Sequence, residues 1–332
     1  MTTMDLELLD NLLKAEPDYR KRQINKLIFH NFINNWQEAT NLPLALRNAL
    51  NKQCFLDIQH QLYLSKDKKT YKALINNSVE TVLMRHNDRN TVCVSSQLGC
   101  PLGCTFCYTG KMGFKRNLSS DEIIEQVLLF SRLLKKVNQR VDSIVFMGMG
   151  EPFLNYDHVV SAIKVFNNKE FFNIGARHIS ISTAGIIEGI KKLAQEKLEL
   201  NLAISLHAPN DQLRSKIMPV NKKYPLSKIM KAVEEYVKKT NRKVMFEYIM
   251  LNNINDQLEH AEELVRLLNN KLYFVNLILY NATGVYQPSD AQQVKRFKYF
   301  LQQHGMQVTE RYRYGKDIKA ACGQLASNNQ KI

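Results

Sequence analysis

A strand, a loop and a helix recur six times in the chain between about residue 90 and residue 304. The short apolar runs predict strands, and longer segments with apolar residues at helical spacing predict helices. The predicted strands cover 91–95, 143–147, 178–182, 200–205, 244–250 and 273–279, and the helices lie near 119–136, 157–166, 186–195, 227–240, 256–269 and 290–304. Successive βα units build a parallel sheet with right-handed crossovers. Six units, rather than eight, predict an α/β fold with an incomplete (βα)6 barrel that is open on one side.

The residues before this repeat follow a different pattern. Apolar residues recur at helical spacing through most of the first seventy positions, whereas 55–64 and 79–84 alternate apolar and polar residues as strands do. The segment 66–72, Lys-Asp-Lys-Lys-Thr-Tyr-Lys, is expected to form an exposed basic turn between them. The predicted organisation is a small, mainly helical N-terminal accessory domain, a barrel domain and a C-terminal segment, at residues 1–85, 86–316 and 317–332.

The composition favours a polyanionic partner such as RNA. The formal net charge is +15, and each phosphate that a cationic side chain neutralises releases condensed counterions. A basic enzyme whose lysines only solvate its helices is the alternative. The sequence shows neither a secretory signal nor an apolar run near the roughly 18–20 residues that span a bilayer. We therefore expect a cytoplasmic protein with no membrane association, whose six cysteines stay reduced unless chemistry uses them.

Sequences rich in glycine, cysteine and polar residues lie at the ends of the predicted strands. They comprise 100–107 after the first strand, 148–152 after the second, 180–185 at the end of the third, 205–207 at the end of the fourth and 280–281 after the sixth. The carboxyl ends of parallel strands meet at one end of a barrel, where active sites form. These segments therefore predict one shared site.

Cys100, Cys104 and Cys107 lie within eight residues in a C-x3-C-x2-C pattern. A structural zinc ion takes four protein ligands, and this loop supplies three. Three thiolates on a [4Fe–4S] cluster leave one iron free to bind an exchangeable ligand. The spacing therefore favours one [4Fe–4S] cluster over a zinc ion or three inert thiols.

With Phe106 directly before Cys107, this cysteine motif resembles that of the radical S-adenosylmethionine (SAM) superfamily. The resemblance implies that the free iron binds the amino and carboxylate groups of SAM. One electron, from a donor such as flavodoxin or ferredoxin, then cleaves SAM to methionine and a 5′-deoxyadenosyl radical. Gly150-Glu151-Pro152 resembles the superfamily's second motif, which holds the methionyl ammonium group.

Further segments resemble one family within that superfamily, the RlmN/Cfr family of RNA adenosine methyltransferases. They are 94–100, 109–118, 147–152, 205–209 and 320–325. The resemblance extends from about residue 18 to residue 326 and is most specific in the last segment, Ala-Ala-Cys-Gly-Gln-Leu. It implies methylation of a ring carbon of adenosine, with C2 favoured over C8, in 23S rRNA and also in tRNA. The expected enzyme is a monomer.

The family resemblance implies roles for three more residues. Cys322 corresponds to the cysteine that takes a methyl group from one SAM molecule, and the radical from a second SAM activates that group for addition to the base. Cys93 corresponds to the thiol that opens the RNA–protein thioether and leaves a transient disulfide with Cys322. Glu80 corresponds to the acceptor of the ring proton. Taken alone, Cys93 on a strand is more often a small core residue, and Glu80 would be an exposed strand carboxylate.

The positions that correspond to the family's SAM contacts are Gly150, Glu151, Ser182, Ser205, Leu206, His207 and Asn281. For His207 the alternative is a hydrogen-bonded residue at a strand end, and for Asn281 it is a turn cap. Cys54 matches no family position and is expected to pack in the core.

Three residues, Tyr108, Ala282 and Lys316, depart from the family's usual pattern, which leaves the target nucleotide and ring carbon open. Two other function classes compete with RNA methylation. A radical SAM enzyme with a non-RNA substrate would have no need for a methyl carrier such as Cys322. A non-catalytic, basic RNA-binding protein with a structural metal would carry no iron–sulfur cluster.

Overall fold

The computed structural model of the protein describes residues 4–312 and 314–325. Its α-helices are α1 (Leu6–Leu12), α2 (Asp18–Phe29), α3 (Leu44–Gln53), α4 (Tyr108–Lys111), α5 (Ser120–Lys135), α6 (Tyr156–Asn167), α7 (Ile187–Leu193), α8 (Asp211–Ile217), α9 (Leu226–Thr240), α10 (Leu258–Leu267) and α11 (Ala291–Gln303). Its strands are β1 (His60–Leu64), β2 (Thr70–Ile75), β3 (Val79–Arg85), β4 (Asn90–Val94), β5 (Gln97–Gly99), β6 (Phe114–Asn117), β7 (Ser143–Phe146), β8 (Ile179–Thr183), β9 (Asn201–Ser205), β10 (Val244–Met250), β11 (Tyr273–Leu279) and β12 (Gln307–Glu310). Short 3-10 helices lie at Trp36–Glu38, Pro152–Asn155, Ala176–His178 and Pro219–Lys222.

One ten-stranded sheet forms the centre of the molecule, in the order β1-β2-β3-β4-β7-β8-β9-β10-β11-β12. Neighbours from β4 to β12 run parallel, whereas β1 to β4 pair antiparallel. The six predicted barrel strands are β4 and β7 to β11, so the incomplete (βα)6 barrel is confirmed. The edge strands of the sheet are β1 and β12, and the barrel is open between them.

Helices on the outer face explain why the barrel strands have such apolar sequences. Nearly every residue of β10 and β11 is buried or half-buried, because these strands have the barrel interior on one side and helices on the other.

Helix α5 begins with a capping box, in which N of Glu122 donates to Oγ of Ser119 and N of Ser119 donates to Oε2 of Glu122. The carboxyl ends of β4 and β7 to β11 meet at one end of the barrel, which we call the barrel mouth.

Two predictions for the N-terminal region are correct only in part. The predicted strand at 55–64 begins at His60, and the predicted basic turn at 66–72 is exposed only as far as residue 69, because β2 begins at Thr70. Lys72 is buried in β2, where its Nζ lies 3.2 Å from Oε1 of Glu80 on the neighbouring strand β3. Its charge is thus paired inside the protein, which the basic run did not reveal. The periodicity also missed β12 and α8, which are short and polar.

The predicted boundary between residues 85 and 86 falls within the continuous sheet. β3 ends at Arg85, and its pairing with β4 runs from Arg85 opposite Asn90 to Val82 opposite Cys93. The first described residue, Met4, also contacts the barrel, because its N donates to Oε1 of Glu125 on α5 at 2.5 Å. The division of the chain into three domains stays a prediction.

Cys54 packs in the core as expected, with 1% of its surface exposed, and burial raises the pKa of its thiol to about 11. Among the described residues, no helix combines the length and the apolar character that crossing a bilayer requires.

Candidate active site

The cysteine loop, residues 100–107, lies at the barrel mouth between β5 and α4. Glycines allow its backbone to fold tightly. A Cβ atom at Gly99 would lie 1.8 Å from O of Gly113, and one at Gly110 would lie 3.0 Å from N and O of Cys104. The loop can therefore adopt this backbone only because Gly99 and Gly110 have no side chains.

The three thiols of the loop lie close enough to influence one another. Burial raises the pKa of Cys104 well above its ordinary value, and the charges of Cys107 and Cys100 raise it further. Arg214, buried nearby, acts in the opposite direction. In the described part of the chain, no three His, Cys, Asp or Glu side chains converge on one point as ligands of a single metal ion do. In a [4Fe–4S] cluster each thiolate binds a different iron, so three neighbouring thiols can serve three of its four irons.

The Gly150-Glu151 turn follows β7 and packs against β5. Gly150 has φ +100°, and a Cβ there would lie 2.7 Å from N of Gln97, so glycine is required. The Glu151 carboxylate is buried and accepts hydrogen bonds from N of Phe153 at 3.1 Å and N of Ala184 at 2.7 Å. Burial raises its pKa to about 7. Glu151 thereby joins the ends of β7 and β8 at the barrel mouth.

The next strand ends bring four predicted residues together around Glu247 of β10. Oγ of Ser182 donates to Oε2 of Glu247 at 2.7 Å and lies 3.3 Å from Oγ of Ser205. N of Leu206 and N of His207 both donate to the backbone O of Glu247 at 3.1 Å. The Leu206 side chain is fully buried in the core.

His207 combines an unusual backbone with a fixed ring. Its φ is +59°, and its Nδ1 accepts a hydrogen bond from N of Ile249 at 3.1 Å. The ring lies edge-on to Phe106 of the cysteine loop, 5.0 Å between centroids. Burial, aided by the charges of Arg214 and Arg311, lowers the pKa of His207 to about 3. The ring is therefore neutral and links β9 to the cysteine loop.

Asn281, after β11, carries an unused hydrogen-bonding atom at this site. Its Nδ2 donates to O of Cys322 at 3.3 Å, whereas its Oδ1 is buried and accepts no hydrogen bond from the described residues. The Oε1 of Gln324 is likewise buried and accepts no hydrogen bond from the described residues. A buried acceptor without a partner is costly unless a ligand supplies a donor. The amino, hydroxyl and adenine N–H groups of SAM are such donors, so the site fits this cofactor.

The C-terminal segment lies over the barrel mouth. N of Tyr108 donates to O of Gly323 at 2.8 Å, and Oγ1 of Thr109 donates to O of Leu325 at 2.6 Å. Both donors belong to α4, directly after the last cysteine of the loop. The segment thus closes over the site as far as residue 325, and residues 326–332 of the predicted segment lie outside the described residues.

Cys93 and Cys322, 229 residues apart in the sequence, line the same cavity of about 830 Å³ inside the barrel. Cys93 also packs with Ile318 and Ala320 of the C-terminal segment. Burial raises the pKa of Cys93 to about 12, and the nearby Cys322 contributes to the increase. The cavity continues to the amino-terminal ends of the strands, where its lining is polar: Thr91, Ser143, Ser180 and Asn201.

Two charged residues that sequence reasoning missed, Arg311 and Glu247, lie between the thiols and the serines. Nη1 of Arg311 donates to Oε1 of Glu247 at 3.1 Å and to Sγ of Cys322 at 3.4 Å. Glu247 was detectable in principle, because a single carboxylate within the apolar run of β10 must have a buried partner. Arg311 follows a short polar strand and carries no such sign.

Glu80 lies on the inner face of β3, opposite the end of β4. Its backbone O accepts a hydrogen bond from Oγ of Ser95 at 2.6 Å, and its carboxylate pairs with Lys72. Side chains two residues apart on a strand share a face, so Glu80 points to the same side as Val82, which pairs with Cys93. Glu80 is thus buried near the barrel mouth rather than exposed on the strand.

This fold, with three neighbouring thiols at its mouth, defines a radical SAM protein. A family model described as the radical SAM superfamily matches residues 94–268. A solved radical SAM methyltransferase from Sphaerobacter thermophilus superposes with a TM-score of 0.93 over 98% of each chain, at 38% identity.

Curated relatives narrow the class further. A probable dual-specificity RNA methyltransferase RlmN from Dictyoglomus thermophilum is 44% identical over 331 residues, which cover 97% of this chain and 95% of the relative. A protein of the same name from Geobacillus kaustophilus is 43% identical over 96% of this chain and 89% of the relative. The chain belongs to the RlmN/Cfr family of radical SAM RNA methyltransferases, as the sequence motifs predicted.

Proposed function

We propose that the protein methylates a ring carbon of adenosine in RNA through an S-methylcysteine intermediate on Cys322. The observation that carries the proposal is that Cys93 and Cys322 line the same cavity inside the barrel. Two thiols so far apart in sequence meet here only because the C-terminal segment folds over the barrel. Simple hydrogen abstraction would require neither of them.

Cys100, Cys104 and Cys107 would hold the [4Fe–4S] cluster, and Gly150, Glu151, Ser182, Ser205, Leu206, His207 and Asn281 would hold SAM. When bound, cluster and SAM together supply the 5′-deoxyadenosyl radical, with the electron coming from a donor such as flavodoxin or ferredoxin. Two observations support the proposed binding of SAM. Glu151 fixes the ends of two strands at the barrel mouth. The buried Oδ1 of Asn281 accepts no hydrogen bond from the described residues.

The chain's own residues then act in sequence, with two SAM molecules per turnover. The Cys322 thiolate attacks the methyl group of the first SAM, S-adenosylhomocysteine leaves, and Cys322 carries the methyl group as a thioether. This methyl carbon loses one hydrogen atom to the radical and then bonds to the adenine ring. Glu80 accepts the ring proton, the oxidised electron donor takes back the unpaired electron, and the buried position of Glu80 near the mouth favours its role. The Cys93 thiolate attacks the Cys322 sulfur, the S–C bond breaks, and the released carbon takes a proton to become the methyl group. The products are methylated RNA and a Cys93–Cys322 disulfide.

Phosphate contacts should supply much of the affinity for the RNA substrate, because the net charge is +15. We place the target in 23S rRNA, with tRNA as a further substrate and C2 as the favoured carbon. Residues 1–85 would contribute RNA contact, and their exposed basic positions on α2, such as Arg22 and Lys26, are suited to it. We further propose that the enzyme is a cytoplasmic monomer.

The test uses the Cys93→Ala variant, which can form the RNA–protein thioether but cannot open it. It should purify with RNA attached covalently to Cys322, visible on a denaturing gel after nuclease digestion. Cys54→Ala is the matched control, because it also removes a buried thiol but lies in the core away from the site. If Cys93 were only a core residue, the Cys93→Ala variant would be less stable and would carry no attached RNA. An active, RNA-free Cys93→Ala protein would contradict the proposed resolving role.

A further inference from the structure

Arg311 extends from the end of β12 into the barrel and contacts three polar groups there. Its Nη1 donates to Sγ of Cys322 at 3.4 Å and to Oε1 of Glu247 at 3.1 Å, and its Nη2 lies 2.6 Å from Sδ of Met147. The side chain is 22% accessible, where it lines the cavity shared by the two thiols. The guanidinium group of Arg311 thus lies in hydrogen-bonding contact with the sulfur of Cys322.

Glu247 holds this guanidinium group in one orientation. Its side chain is 5% exposed, and its two carboxylate oxygens bind different partners: Oε1 binds Arg311, and Oε2 accepts a hydrogen bond from Oγ of Ser182 at 2.7 Å. Oγ of Ser205 lies 3.3 Å from Oγ of Ser182. A continuous chain of polar contacts therefore leads from the serines to Cys322, and charge-assisted bonds of this kind are the stronger ones.

We infer that Arg311, oriented by Glu247, is the positioning residue that holds the Cys322 sulfur toward the SAM-binding serines before methyl transfer. The inference rests on the proposed function of Cys322 as methyl carrier. The thiolate is the nucleophilic form of cysteine, and a guanidinium group donates a stronger hydrogen bond to an anionic sulfur than to a neutral one. Both features favour attack on the methyl group of SAM.

The same contact weakens once the methyl group has been transferred. The Cys322 thiolate forms a bond to the methyl carbon as the S–CH3 bond of SAM breaks, and the electron pair stays with S-adenosylhomocysteine. Cys322 becomes a neutral thioether, which is a weak hydrogen-bond acceptor. Arg311 then no longer restrains the sulfur, while Glu247 keeps the guanidinium group in place. The contact therefore distinguishes the free from the methylated carrier.

Arg311→Met and Arg311→Lys test the inference in reconstituted holoenzyme without RNA. Two rates at Cys322 are measured at one pH by peptide mass spectrometry: alkylation by iodoacetamide, and methyl transfer from isotopically labelled SAM. We expect Arg311→Met to lower both rates about tenfold, because it removes a charge-assisted hydrogen bond. Arg311→Lys should recover part of the loss because it keeps the charge. The KM for SAM and the iron content should be unchanged. Arg266→Met is the control, since Arg266 is an exposed arginine on α10.

Removal of Arg311 leaves the buried Glu247 without its cation, so the single variant can lose stability for that reason alone. The Glu247→Gln/Arg311→Met double variant also removes the Glu247 charge. It should fold and show the same tenfold decrease in both rates at Cys322. Wild-type rates in either folded variant would overturn the inference. If wild-type protein itself transfers no methyl group to Cys322, the proposed function fails, whereas the alkylation comparison still tests the contact.

Discussion

The cysteine loop and the C-terminal segment bring sulfur atoms to the same barrel mouth by different means. The loop carries three cysteines within eight residues, and close glycine contacts fix its backbone. The C-terminal segment carries one cysteine, and its neighbours Asn281, Arg311 and Cys93 lie up to 229 residues away. A site made from consecutive residues can be recognised locally, whereas a site closed by a distant segment exists only in the folded chain.

The cysteine loop and the C-terminal segment should therefore respond differently to substitution. A change in the loop removes a ligand and should eliminate the cofactor. A change in the segment moves a single sulfur held by a few hydrogen bonds and should leave the cofactor in place.

Cys104→Ala should have the largest effect, because it removes one of three proposed cluster ligands. Anaerobically reconstituted wild-type protein should carry about four irons. The variant should lose nearly all of this iron, its absorbance in the iron–sulfur region and its SAM cleavage. Cys54→Ala, which removes a buried thiol elsewhere, should retain all three. Full iron content in Cys104→Ala, or bound zinc in place of iron, would mean that the cluster assignment is incorrect.

Gly323→Ala should affect the C-terminal segment alone. Gly323 has φ +81°, and a Cβ would lie 3.3 Å from O of Phe106, so alanine should cost about 1–2 kcal/mol and displace the neighbouring Cys322. We expect a several-fold change in the alkylation rate of Cys322 with unchanged iron content. Gly305→Ala is matched in backbone conformation, with φ +78°, but a Cβ there meets nothing within 4 Å. Equal alkylation rates in the two variants would show that the segment tolerates the strain.

Glu125→Gln should leave both cysteine sites unchanged and alter stability with pH. Burial raises the pKa of Glu125 to about 7 from an ordinary value of 4.5. The folded protein therefore holds a proton that the unfolded chain releases, and the free energy of unfolding falls as the pH rises from 4.5 to 7. Gln carries no charge, so the free energy of unfolding of the variant should not fall over this pH range. At pH 8 it should exceed that of the wild type by on the order of 2–3 kcal/mol. Denaturant unfolding at pH 5 and pH 8 measures the difference, and an identical pH dependence in wild type and variant would rule out Glu125 as its source.

The barrel was predictable because its strands are buried on both faces and therefore have continuous apolar sequences. The bounds of β10 and β11 match the predicted ones, 244–250 and 273–279. β2 was not predictable, since Lys72 looks like a surface residue until Glu80 is seen beside it. The three cluster cysteines follow from local spacing, whereas Cys93 and Cys322 were assigned through family resemblance. Arg311 and Glu247 were missed because 64 residues separate them and only the sheet register brings them together.

The antiparallel strands β1 to β3 are an outer flank of the barrel sheet, and β4 is hydrogen-bonded on both sides, to β3 and to β7. Removal of residues 1–85 would turn β4 into an exposed edge with free N–H and C=O groups along Asn90–Val94. Such an edge is a template for pairing with another chain. The N-terminal region therefore protects the barrel against edge-to-edge aggregation, and a truncated chain should be recovered as aggregates before its affinity for RNA can be compared with that of the full protein.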